Sequence, residues 1–271
     1  MRLRVMSYNI LLGGIAPGPR DRTEQLLEVI ASQRPDVLAI QEASAFLPEE
    51  RNTVALWRAR LGMSGLAVRG GSTLHLACFA RPDLDLRLEH HVGPPFRHGA
   101  LHVSIATPSG RLPFLIAHLN PFYEEARLEE VECLLKLTPP GPALLLGDFN
   151  GLSPQDEYDA RQIADMLPQY RVTPPYKSLG NPIPDHAETR AIARLIAAGF
   201  TDLGKACQEG RPAPTYPTPG APDPEGNLIR IDYVFGSAPL ANACVAYHTP
   251  QREPAGTASD HYPVVCDLEL P

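Results

Sequence analysis

Ala143-Leu144-Leu145-Leu146-Gly147-Asp148-Phe149-Asn150 is the stretch that decides how this chain is read. A short run of apolar residues bounded by turn formers is the pattern of a strand buried on both faces. Gly147-Asp148 ends that strand, and the polar pair Asp148 and Asn150 follows where the chain leaves the core. Polar groups at the ends of buried strands are rigidly displayed, which is what a catalytic group needs. The same grammar recurs on either side. Leu112 to His118 follows a Thr107-Pro108-Ser109-Gly110 turn and ends in Ala117-His118-Leu119-Asn120. Val37-Leu38-Ala39-Ile40 delivers Gln41-Glu42, and the alternating segment Leu3, Val5, Tyr8, Ile10 carries Asn9. Downstream, Arg230-Ile231-Asp232-Tyr233 opens one apolar segment and Ser259-Asp260-His261 precedes the last.

Helical patterns lie between these strands. Asp21-Arg22-Thr23-Glu24 reads as a capping box before Leu26, Leu27, Ile30 and Ala31 at helical spacing. Further helices are expected over about 48–61, 124–137, 156–167 and 188–198, and further strands near 64–69, 73–80, 84–91, 99–106, 229–236, 240–248 and 262–270. Prolines, thirty in all, concentrate in 168–184 and 212–224, where regular structure is not expected to continue. There is no internal repeat and no boundary that splits the chain. Interleaved strands and helices predict a single α/β domain over 1–271, with two sheets packed together and helices outside.

Composition bounds the function. The 271 residues are 44% hydrophobic and 20% charged, as in an ordinary globular protein. No apolar run approaches the roughly 18 residues of a membrane span, and the N-terminus lacks the apolar region and cleavage site of a secretion signal. Five scattered cysteines (Cys78, Cys133, Cys207, Cys244, Cys266) form no CxxC pair, so small buried thiols are expected, with no zinc site. A cytoplasmic monomer follows as the expectation. The net charge of −7 gives no basic surplus of the kind extended nonspecific DNA binding shows.

Singly, each polar strand end has a bland reading. An Asn there is usually a turn residue, a lone His a structural group, Arg230 with Asp232 a surface pair, and Asp260-His261 a helix cap. Together the segments Ser7-Tyr8-Asn9-Ile10, Ile40-Gln41-Glu42, Ala117-His118-Leu119-Asn120, Gly147-Asp148-Phe149-Asn150, Arg230-Ile231-Asp232-Tyr233 and Ser259-Asp260-His261 tell another story. In order and spacing the chain resembles the endonuclease/exonuclease/phosphatase superfamily, the group of DNase I-like nucleases, abasic-site endonucleases and neutral sphingomyelinases. The Gly-Asp-Phe-Asn and Ser-Asp-His pieces are the specific ones, and the match spans nearly the whole chain. The resemblance implies a four-layer α/β sandwich of two mixed β-sheets flanked by helices, with the active site at one edge of the sheets.

It also implies a divalent-metal-dependent phosphoesterase, a hydrolase working with Mg²⁺ or Mn²⁺. Glu42 is a hard oxygen ligand suited to such ions, with Asn9 and Asp260 completing or orienting the metal site. Phosphate-ester hydrolysis needs an activated water and neutralised phosphoryl oxygens. Asp148 is the expected proton acceptor. Asn150 faces the same way in an extended segment and is expected to steady phosphate or water. His261 donates to a phosphoryl oxygen with Asp232 holding its ring, and His118 is a second phosphate-facing imidazole, which leans towards the DNase and sphingomyelinase side of the family.

The centre does not choose the substrate. Recognition is expected in the 151–228 stretch, with Tyr158, Tyr170, Tyr176 and Lys177 as candidate contacts; Arg97-His98, before a strand, could reach the phosphate but reads first as a solvated loop pair, and His90-His91 could bind metal but read first as exposed strand residues. Nucleic acid is the favoured substrate (a nuclease or DNA-end processing activity). A lipid or small-metabolite phosphodiester, as in sphingomyelinases, is the alternative, and an inactive binding module the remote one.

Overall fold

The structure is a computed structural model that describes residues 1–15, 21–172, 186–207, 212–222 and 227–270. Tyr176 and Lys177 lie outside the described residues. In chain order the first half comprises β1 (Arg2–Asn9), α1 (Thr23–Gln33), β2 (Val37–Gln41), α2 (Thr53–Leu61), β3 (Ser64–Val68), β4 (Leu76–Ala80), β5 (Arg87–Val92), β6 (Ala100–Thr107) and β7 (Gly110–His118). Then come α3 (Glu124–Leu137), β8 (Leu144–Asp148), α4 (Ala160–Asp165), β9 (Arg171–Val172), β10 (His186–Ala187), α5 (Arg190–Ala197), β11 (Thr201–Asp202) and α6 (Leu203–Cys207). β12 (Asp232–Gly236), β13 (Cys244–His248), α7 (Ala255–Ala258) and β14 (Val264–Glu269) complete it.

One six-stranded sheet runs β13-β14-β1-β2-β4-β3 and the other β11-β12-β8-β7-β6-β5. Each has one parallel pair, β1 with β2 and β7 with β8, among antiparallel neighbours. A parallel pair needs a long crossover, which α1 supplies in the first sheet and α3 in the second.

Strand alternation sorts the core into layers. In β1, Leu3 and Val5 join the cluster between the sheets, whereas Met6 and Tyr8 pack outward with Leu26, Ile30 and Trp57. In β7 and β8, Phe114, Ile116, Leu144 and Leu146 face the inter-sheet core, while Leu115, Ala117 and Leu145 face Val131, Leu134, Ile192 and Leu195 of the outer helices. Side chains two apart share a face. Asn9, His118, Asp148 and Asp232 therefore continue the inward-facing rows at their strand ends. The four-layer sandwich of the sequence reading is what the structure shows.

Gly147 is forced. Its φ is +145°, and a Cβ there would meet the Ala117 carbonyl oxygen at 1.9 Å, so any side chain would push β8 off β7. Other local expectations are corrected. Arg22, not Asp21, precedes the first turn of α1; Asp21 accepts from the Thr23 N–H, and Glu24 turns away to pair with Arg60. A two-armed guanidinium partner holds this exposed carboxylate in place of the backbone. The cysteines are not all separate thiols. Cys207 and Cys244 are disulfide-bonded across 37 residues, brought together because α6 packs beside β13, and this removes the cysteine argument for a reducing compartment. Cys78, Cys133 and Cys266 are free. No helix among the described residues is long and apolar enough to cross a membrane.

Candidate active site

In sheets with parallel strands, ligands collect beyond the carboxyl ends of those strands. Here both parallel pairs point that end the same way. β1 delivers Asn9, β2 runs into Glu42, β7 ends at His118 and β8 at Asp148. Antiparallel neighbours contribute their beginnings: Asp232, the first residue of β12, sits directly opposite Asp148, and Asp260 and His261 lie just ahead of β14. The polar positions singled out in the sequence, from residue 9 to residue 261, thus converge at one edge of the sandwich.

Asp148 lies at the middle of the cluster and is buried. Its Oδ1 accepts from the Asn150 N–H at 2.9 Å and its Oδ2 from the Asn9 amide at 3.0 Å. The same Oδ2 is 3.5 Å from His118 Nε2 and 3.7 Å from His261 Nε2. Burial pushes the Asp148 carboxyl up to about 7; the His261 charge opposes this and the Asp232 carboxylate adds to it. His261 Nδ1 donates to Asp232 Oδ2 at 2.8 Å. Burial works against charge on this imidazole, but Asp232, Asp148 and Asp260 together raise it well above the usual histidine range, so it is a cation. His118 goes the other way. Burial, then His98 and His261, hold it well below that range, so it is neutral.

Glu42 sits at φ +57°, in the left-handed region that a glutamate rarely adopts. Its Oε2 accepts from the Leu12 N–H at 2.9 Å, and its Oε1 is 3.4 Å from the Asn9 amide nitrogen. Burial raises its pKa, the Leu12 N–H works against that, and Asp260 raises it further. Asn9 therefore bridges two carboxylates through its nitrogen, while its oxygen accepts from the Leu11 N–H. Glu42 and Asp260 offer hard oxygens close enough to repel each other, and one buried oxygen, Asp232 Oδ1, has no hydrogen-bond partner among the described residues. Such a donor set fits Mg²⁺ or Mn²⁺. Ligand atoms of Asp148, Asp232 and His261 also lie within 4.8 Å of one another, but the His261–Asp232 hydrogen bond already occupies one nitrogen of that imidazole.

The cleft over these groups encloses about 280 Å³ and is lined by Glu42, Arg97, His98, His118, Phe122, Asp148, Asn150, Tyr170, Tyr216 and His261, among others. That is room for a phosphate and its nearest ester arms, which leaves larger substrates to the rim. Several lining residues depart from the sequence reading. Asn150 does not continue an extended segment: β8 ends at Asp148, and Asn150 turns at φ +45°. Its amide donates to the Leu119 carbonyl and accepts from the buried Tyr170 hydroxyl at 3.2 Å. His98 is no solvated loop residue. It is 4% exposed and stacks on His118 with ring centroids 4.3 Å apart, although Arg97 beside it is exposed and lies over Phe122. Tyr216, which the sequence did not mark, lies 4.9 Å from the His261 ring. Arg230 and Asp232 are not a surface pair either, since both are buried and each has other partners.

A family model described as the Endonuclease/Exonuclease/phosphatase family matches residues 6–261. The chain belongs to the endonuclease/exonuclease/phosphatase family. Members of this family are hydrolases acting on phosphoester bonds and depend on divalent metal ions. Among solved structures, an AP endonuclease from Archaeoglobus fulgidus superposes with a TM-score of 0.71 at 18% identity, covering 99% of this chain and 100% of that one. An endonuclease/exonuclease/phosphatase from Beutenbergia cavernae DSM 12333 gives 0.68 at 21% identity, covering 99% and 72%. Truncated Caenorhabditis elegans TDP2 gives 0.64 at 14% identity, covering 99% and 98%. At these identities the likeness is one of fold. No curated protein sequence matches the chain. The endonuclease/exonuclease/phosphatase architecture thus places the cleft where two parallel strand pairs end.

Proposed function

We propose that this chain is a divalent-metal-dependent phosphodiesterase in which Asp148 activates the attacking water, with nucleic acid as the favoured substrate. The observation that carries the reading is the Asp148 environment: a buried carboxyl raised to about 7, between a cationic His261 and a neutral His118. A base with a pKa near the working pH is the efficient one. The water adds to phosphorus, its proton passes to Asp148, and the P–O bond to the leaving oxygen breaks.

The remaining residues follow from chemistry and position. Glu42 and Asp260 would hold the metal, which when bound supplies charge neutralisation for the phosphoryl oxygens. Asn9 fixes the rotamer of Asp148 from one side, and the Asn150 N–H does so from the other. Asp232 keeps the His261 ring aimed and charged, so that its Nε2–H meets a phosphoryl oxygen. His118 presents a neutral imidazole to the same group, and Asn150, locked by Leu119 and Tyr170, closes the far wall.

Support for nucleic acid comes from the rim, where the Arg97 guanidinium stacks on Phe122, 5.0 Å from its ring centroid, as a phosphate-and-base contact would need. The names of two structural neighbours, an AP endonuclease and TDP2, agree with it. One observation favours a second reading, a lipid phosphodiester: Phe122, Tyr123 and Leu167 are about half or more exposed beside the cleft. Hydrolysis of labelled single-stranded DNA, sphingomyelin vesicles and bis-(p-nitrophenyl) phosphate, each with Mg²⁺, Mn²⁺ or EDTA, separates them. EDTA-sensitive DNA cleavage is the expected result. Vesicle turnover without DNA cleavage would transfer the assignment to lipid, and no turnover of any ester would end the phosphodiesterase reading.

A further inference from the structure

His98 is held from several directions at once. Its ring stacks on His118, with 24° between the planes. The Glu130 carboxylate on α3 accepts from the Arg97 N–H at 2.8 Å and from the Asn120 N–H at 2.7 Å, tying together the segments that carry the two imidazoles. The turn Arg69-Gly70-Gly71-Ser72 presses against the backbone of 96–98: a Cβ at Gly70 would lie 2.3 Å from the His98 carbonyl oxygen, and one at Gly71 2.7 Å from that of Arg97. That close approach brings Ser72 Oγ to 2.8 Å from His98 Nδ1.

The tautomer follows from counting hydrogens. Ser72 Oγ already accepts from the Leu74 N–H at 3.1 Å. A hydroxyl has one hydrogen to give. Directed at Nδ1, that hydrogen is used; if Nδ1 were the donor, it would have no protein acceptor in this network. Only with Nδ1 as the acceptor does every hydrogen of the pair stay within the protein, and this favours the ring proton on Nε2. That Nε2 is buried, has no partner among the described residues, and belongs to a residue that lines the cleft beside His118, Asp148 and His261. A donor oriented this firmly and left unpaired is a donor kept for a ligand.

We propose that His98 is a further substrate-contacting residue, giving its Nε2–H to a phosphoryl oxygen of the ester held in this cleft. The assignment rests on the phosphoesterase reading of the site. His261 then gives the phosphoryl group a charged N–H, and His98 a neutral one whose geometry is set by Ser72. Burial lowers the His98 pKa to about 4, so the neutral donor persists at physiological pH.

The test uses the full chain with ring-¹⁵N-labelled histidine, Mg²⁺ and inorganic phosphate, alongside kinetics with bis-(p-nitrophenyl) phosphate. Phosphate should shift the His98 Nε2–H resonance downfield. H98A should weaken phosphate binding and lower kcat/KM by roughly 10- to 100-fold, as expected for a single lost oxyanion donor. H98Q, whose amide reaches towards the Nε2 position, should restore part of both. S72A should mix the tautomers and lower kcat/KM by a smaller factor, and it serves as the second variant if H98A does not fold. A His98 resonance unmoved by phosphate that shifts His261, or full phosphate affinity in H98A or S72A, would overturn the assignment. If phosphate moves the His98 signal but no ester is hydrolysed, His98 stands as an anion donor and the phosphodiesterase reading fails alone.

Discussion

Two buried charge clusters hang on one short segment, Arg230-Ile231-Asp232, and they are built in opposite ways. Arg230 is ringed by opposite charge, although its Nη1 has no hydrogen-bond partner among the described residues. Its guanidinium meets Asp156 at 3.0 and 3.2 Å and Asp202 at 2.7 Å, lies over the Tyr233 ring at 4.4 Å, and Lys205 adds a second cation to Asp156 at 3.0 Å. Two residues on, Asp232 enters a cluster whose protonation is contested. One of its oxygens has no partner among the described residues, its neighbour Asp148 is pushed up to about 7, and two imidazoles near that carboxylate sit on opposite sides of their usual range. Paired charge of the first kind holds the β11, α6 and 156 segments to the sheet. Charge of the second kind, with its proton contested among Asp148, His261 and His118, is poised to exchange protons with something that binds.

The sharpest way to break the contrast is to remove charge from each cluster in turn. Asp148→Asn and His261→Ala should each cut hydrolysis by about 10²-fold or more, the range for a lost general base or phosphate donor, while circular dichroism and the urea midpoint stay close to those of the parent. Arg230→Met should do the reverse. It leaves Asp156 and Asp202 buried without their shared partner, and removing one member of such a pair costs about 3–5 kcal/mol of folding stability. Turnover per folded molecule should survive at low temperature. If Arg230→Met instead kept the parent urea midpoint and lost only catalysis, the division of labour between the clusters would be wrong.

Acidity sharpens the comparison further. Asp148 works as a base only when ionised. Because its pKa is raised, the ionised fraction grows as pH climbs towards about 7. kcat/KM measured in Mg²⁺ should therefore fall about tenfold per pH unit below roughly 6 and level off above 7. A profile flat from pH 5 to 8 would remove Asp148 from the base's role. Nothing comparable is expected of the Arg230 cluster, whose guanidinium is held charged well above the usual range.

Most of this architecture was readable because both of its determinants are periodic. Runs such as Ala143–Leu146 and Leu112–His118 announce buried strands, and the polar residue ending each run falls on the inward row by parity alone. What sequence could not supply was contact between distant turns. His98 reads as a loop residue until Gly70-Gly71 is seen packed on its backbone. Tyr216 gives no signal among the prolines around it. Asn150 reads as i+2 in a strand, because nothing in Phe149-Asn150-Gly151 says that the strand stops at Asp148. Cys207 and Cys244 meet only once α6 is laid beside β13.

Tyr170 gives the smallest effect and the most discriminating one, because its hydrogen bond reaches the reacting cluster through Asn150. Its hydroxyl is buried and donates to Asn150 Oδ1 at 3.2 Å, and Asn150 in turn fixes Asp148 Oδ1 through its backbone N–H and holds the 119 turn through its amide. Tyr170→Phe removes one neutral hydrogen bond and leaves the ring packing in place, so a stability loss of about 0.5–1.5 kcal/mol is expected. Asn150, sitting at φ +45°, keeps its backbone contact with Asp148 but loses one restraint on its amide. Turnover should drop only a few-fold, mainly in kcat, with the pH profile unmoved because Asp148 keeps all its own partners. A shifted acid limb in Tyr170→Phe would show that the hydroxyl tunes Asp148 directly, and the reactive cluster would then have to be drawn one residue wider than Asn150.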